Sequence, residues 1–127
     1  MIMKEYFEAD YFYDLAKELK KCEVNCEYSA IERTIVDRVY YSLFLSIKKF
    51  LISKGYESYD DGQDHHNIRK FIIKKQVFGK ESGYVKNKLY ELHNIRKHSS
   101  YILHPYYDQG ITLDDIFNTY EKIVSKL

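Results

Sequence analysis

The stretch NIRKHSSYILHPYY, Asn94 to Tyr107, gathers one arginine, two histidines, three tyrosines and the only proline of a 127-residue chain. These residue types suit acid–base work and the steadying of negative charge. An imidazole exchanges protons near neutral pH, and a guanidinium holds an anion or an anionic transition state. On an ideal helix with Arg96 at zero, Val85, Leu89, Leu92, Ile95, Ser99 and Leu103 fall within an arc from roughly −100° to +20°. That arc is the core-facing stripe, and Arg96 lies inside it. His93, Ser100 and His104 flank it at roughly +60°, +40° and +80°. A guanidinium there needs either a counter-charge, such as Asp37, or a water-filled cleft. His98, at about 200°, points to the far side.

The elements that must position these groups are helical. Apolar residues recur at helical spacing throughout, and no alternating strand pattern occurs. A first helix is expected from Tyr6 to Lys21, with Phe7, Tyr11, Leu15 and Leu19 on one face. A second runs from Glu27 to Lys54, carrying Ile31, Ile35, Val39, Leu43, Ile47 and Leu51 and stopped by Gly55. Tyr40, Phe44 and Phe50 widen its stripe, so it should be central. Asp64 is expected to cap a short third helix, HHNIRKFIIKKQVF, and GKESG to form a loop. Ser82 opens a fourth helix that reaches Tyr101, since Pro105 disfavours helical geometry just before it. Thr112 caps a fifth, with Asp114 and Asp115 at its positive end. The fold class expected is all-α: an antiparallel four- or five-helix up-and-down bundle forming one domain, residues 1–127.

Composition agrees. The chain is 45% hydrophobic and 31% charged, with five Gly and one Pro, as a folded helical protein should be. No apolar run reaches the roughly 20 residues of a membrane span, and MIMKEYFEAD is a poor signal peptide, so a cytoplasmic protein without membrane contact is expected. Cys22 and Cys26 are too few for a disulfide scaffold. Their spacing has no second half to make a metal site, and neither metal nor cofactor is expected. Net charge is +1, yet His65–His104 holds nine basic and two acidic residues, which leaves −6 for the rest of the chain. Such a segment is either a phosphate-contact footprint or a set of solvated lysines. His65 and His66 are adjacent and point apart, which argues against metal binding. Tyr40 and Tyr41 are read as core and subunit interface.

Three ordered segments resemble the HEPN family. DRVYYSLFLSIKKFLISKG, Asp37 to Gly55, looks like its second helix: an arginine, two aromatics, a small residue and a Phe leading to a lysine-rich end. HHNIRKFI, His65 to Ile72, is similar to its next segment, and that resemblance implies a packing role for His65 and His66. LHNIRKHSSY, Leu92 to Tyr101, resembles its Leu–x–x–x–Arg hallmark, with Ser-Ser-Tyr where Ala-Asp-Tyr is usual. The resemblance implies a homodimer whose central helices pack about a two-fold axis. Many members cut RNA without metal through Arg-x(4–6)-His, the histidine moving the 2′-OH proton or protonating the leaving oxygen. Others are binding modules or partners of minimal nucleotidyltransferases. Seven residues separate Arg96 from His104, one more than that pattern, and Ser100 replaces its Asp.

The resemblance thus implies a homodimeric binding or regulatory module for nucleic acid or a minimal nucleotidyltransferase. The alternative is a metal-independent endoribonuclease, a toxin or phage-defence effector, using Arg96 and His104 at the dimer cleft. His93, Lys97, Ser100, Tyr101, Arg69 and Lys70 would be cleft or RNA-binding positions. Tyr106, two residues after His104, would be the site of adenylylation by the partner.

Overall fold

The computed structural model describes residues 9–21, 28–58, 63–101 and 111–127, with the side chains at 28–29 and 98–101 outside that description. These residues form five helices and no strand: α1 (Asp10–Lys21), α2 (Tyr28–Ser53), α3 (Asp64–Lys75), α4 (Ser82–Tyr101) and α5 (Leu113–Val124). No helix is long and apolar enough to cross a membrane among the described residues.

α2 is the axis of the fold and packs against each of the other four helices. Ile35, Val39, Leu43, Ile47 and Leu51, four residues apart, are essentially without solvent contact. Burying each such side chain contributes about 1.5–3 kcal/mol, before conformational entropy is subtracted. The helix stops where Gly55 adopts φ +100°, a conformation open to glycine, and Tyr56 N–H returns to Leu51 O at 2.9 Å.

Residue pairs fix the sense of the neighbours. Asp37 meets Arg96 and Tyr40 meets His93, so α2 and α4 run antiparallel. Tyr13 meets Tyr120 while Lys20 meets Asp114, so α1 and α5 do as well. α5 begins as expected. Thr112 Oγ1 accepts from Asp115 N–H at 3.1 Å, and the Asp115 carboxylate accepts from Thr112 N–H at 3.0 Å, a reciprocal capping box. Hydrogen bonding to its carboxyl, first from the Thr112 backbone N–H and then from the Thr112 side chain, holds Asp115 below its usual range.

Three expectations change. The buried face of α1 is Tyr13 and Ala16, with Leu19 partly buried, while Leu15 is 46% exposed. Tyr13 dictates that rotation, because its ring stacks on Tyr120 at 3.7 Å and its hydroxyl donates to Glu121 at 2.7 Å. Asp64 is not a cap: Gln63 holds the N-cap position without a side-chain bond, and Asp64 is the first helical residue. Its buried carboxylate instead accepts from Tyr56 Oη at 2.5 Å and Ser58 Oγ at 2.8 Å, and pairs with Lys48 at 2.9 Å. Burial demands those partners, and they pin α3 to the end of α2. Finally, α3 ends at Lys75 rather than Phe78, because Gln76 takes the left-handed conformation and its N–H caps Ile72 and Ile73. GKESG is a 3₁₀ turn over Gly79–Glu81 that leads directly into α4.

Candidate functional site

Arg96 reaches from α4 onto α2. Its Nε donates to Asp37 Oδ1 at 3.0 Å and its Nη2 donates to Tyr41 Oη at 2.8 Å. The side chains of Arg96 and Asp37 are only 14% and 22% exposed. Asp37 and Tyr41 stand four residues apart on one face of α2, so a carboxylate and a hydroxyl meet the guanidinium fork together. The counter-charge reading of Arg96 therefore holds: its charge is neutralised within the chain.

Beside this pair lies a stack of rings from three helices. His65 of α3 lies 4.4 Å from His93 of α4 and 4.1 Å from Phe44 of α2, nearly parallel to both. Tyr40 of α2 stacks on His93 at 5.3 Å and 7° and joins its hydroxyl to His65 Nδ1 at 2.6 Å. Burial pushes the Tyr40 phenol up, so the hydroxyl keeps its proton. Arg69 Nη1 lies 3.2 Å from His93 Nδ1. A guanidinium has no acceptor, so Nδ1 is the unprotonated nitrogen and the His93 ring is neutral. Burial, then His65 and the cations Lys97, Arg69 and Arg96, hold the His93 pKa down to about 4. Burial and the same two arginines lower His65 as well, with Asp64 opposing them. A neutral, packed His93 is a poor proton donor near neutrality.

Arg69 is the link to the surface. Its guanidinium carbon sits 5.2 Å from the centre of the Tyr90 ring, at the head of a groove of about 470 Å³ between α3 and α4. His66, Arg69, Lys70, Ile73, Lys74, Lys86 and Tyr90 line it, and no acidic side chain does so among the described residues. Four cations facing one groove, with no carboxylate between them among the described residues, give it a positive potential of the kind that suits an anion. Two further clefts differ. The one between α4 and α5 contains Glu91 and Asp115, and the one between α1 and α5 contains Glu121, so both are of mixed charge.

The structure thus brings Arg69 and Lys70 into one groove and ties His93 to Arg69, while Arg96 serves the α2–α4 seam. Lys97 is exposed and does not line the groove. His104 and Tyr106 lie outside the described residues, as do the side chains of Ser100 and Tyr101. Lys74 and Lys86 belong to the basic segment read from the sequence, whereas Ile73 and Tyr90 were not singled out there. A signal for them existed. On the fourth-helix wheel Lys86 and Tyr90 fall at roughly +80° and +120°, on the edge occupied by His93. On the third, His66, Arg69, Lys70, Ile73 and Lys74 share one face at helical spacing. Among the described residues no group of three His, Cys, Asp or Glu side chains is arranged to hold a metal ion.

A scan against protein-family models finds no match to the chain, and searches of curated proteins and of solved structures find none.

Proposed function

We propose that the chain is a HEPN-like helical module that binds nucleic acid through the groove between α3 and α4 and does no chemistry itself. One observation carries the reading: Arg69, Lys70, Lys74 and Lys86 line a single groove that holds no carboxylate among the described residues. The state of Arg96 supports it. A guanidinium already paired with the Asp37 carboxylate and bonded to Tyr41 has less of its charge to offer a phosphate. The resemblance adds a homodimer, and a minimal nucleotidyltransferase as a further partner.

The test is RNA binding by fluorescence anisotropy across a salt series, with cleavage followed in EDTA. Binding should weaken steeply with salt, with a log–log slope of about −3 for four phosphate contacts on a single strand. Lys74→Glu with Lys86→Glu should reduce affinity at least tenfold while the RNA stays intact. Affinity indifferent to salt and to both substitutions would remove the groove from the reading. Cleavage in EDTA that Arg96→Ala or His104→Ala abolishes would establish the endoribonuclease instead.

A further inference from the structure

We infer that the α3–α4 groove is a single-strand site, in which Tyr90 stacks an unpaired base while the surrounding cations hold the phosphates. The inference rests on the nucleic-acid reading above and deepens it. Tyr90 is 53% exposed, the most open of the large hydrophobic side chains on the described surface, and it stands within the basic groove. An aromatic ring left open among cations has an evident use, since every base offers a π-face whatever its sequence.

The ring is also prepared for that use. Arg69 lies against it at 5.2 Å, and Arg69 is itself anchored to the buried His93 at 3.2 Å. A cation backing one face restrains the ring and leaves its remaining exposed surface for a partner. Ile73, 38% exposed in the same groove, offers an apolar flank to a base edge. The volume of about 470 Å³ falls in the range of small-ligand clefts, enough to receive a nucleotide rather than only a phosphate. A duplex would satisfy the lysines through its backbone, but its stacked bases present no face to Tyr90. A single strand satisfies both halves of the site.

Anisotropy with a labelled twelve-nucleotide RNA, its duplex with a complementary strand and an abasic chain of equal length tests this directly. The single strand should bind about tenfold more tightly than either the duplex or the abasic chain. Tyr90→Ala should remove that tenfold advantage, the loss expected for one base–aromatic stack, so that strand, duplex and abasic chain bind alike. Tyr90→Trp should retain the advantage. Equal binding of strand and duplex by the unaltered protein, or an unaltered single-strand affinity in Tyr90→Ala, would overturn the inference. In those cases loss of binding in Lys74→Glu/Lys86→Glu would still sustain the basic groove as a nucleic-acid site. Indifference to all of these substitutions would overturn both. Tyr90 lies on the surface, so its variants keep the core, and circular dichroism checks that they do.

Discussion

At the scale of single residues, Arg96 shows how an apparently catalytic group is explained by packing. Its place on the apolar arc of α4 demands a counter-charge, and Asp37 with Tyr41 meets that demand. Asp37→Ala leaves a largely enclosed guanidinium without its carboxylate and should cost about 1–3 kcal/mol, below the roughly 3–5 kcal/mol of fully buried pairs because both groups retain some solvent contact. Urea unfolding measures it, and Asp37→Leu combined with Arg96→Met should recover much of the loss. A midpoint unchanged in Asp37→Ala would show the pair to be energetically idle. Arg96, its enclosure and its partner Asp37 were legible in the sequence, because a 100° step fixes the face of each residue. The Tyr41 hydroxyl was not. Adjacent Tyr40 and Tyr41 take different roles, one in the imidazole stack and one on the arginine, and the wheel of α2 alone does not say which polar tip meets which partner.

At the scale of elements, the rings of Tyr40, Phe44, His65 and His93 join α2, α3 and α4 through neutral imidazoles. An unfolded chain protonates His93 near its ordinary pKa of 6.5, whereas the folded chain resists down to about 4. Between those values the unfolded state binds more protons. Stability is therefore complete above 6.5 and falls as pH drops toward 4, by on the order of 3 kcal/mol for this group. Urea unfolding at a series of pH values should show that decline, and His93→Phe, which keeps a stacked ring without titrating, should flatten it. An equal slope in the variant would assign the decline to other groups. Five helices, their order and most of their ends follow from apolar periodicity and local capping residues. What did not follow depends on distant partners. Tyr13 turns α1 to reach α5, and Asp64 gives up a capping role to hold Tyr56, Ser58 and Lys48. The groove was half legible: its charge stood out in the sequence, but its walls come from two helices whose facing required the fold.

At the scale of the whole molecule, a net charge of +1 conceals a division of labour among the cations. Of the nine basic residues between His65 and His104, Arg96 and Lys88 are paired with Asp37 and Glu91, and four line one groove. The α3–α4 groove is thus a locally positive face on a chain that is nearly neutral overall. The homodimer implied by the HEPN resemblance belongs to this scale as well. Sedimentation velocity at micromolar concentration should give the mass of two chains, and the mass of one would remove that part of the proposal. The connection between α3 and α4 has a further consequence. Left-handed Gln76, the Val77 N–H bond to Ile72 O at 3.2 Å and a single 3₁₀ turn join the two helices at one end. Arg69 and His93 bridge them farther along. Two walls fastened at both places hold their spacing, so a ligand meets lysines already held in position rather than drawing the helices together around itself.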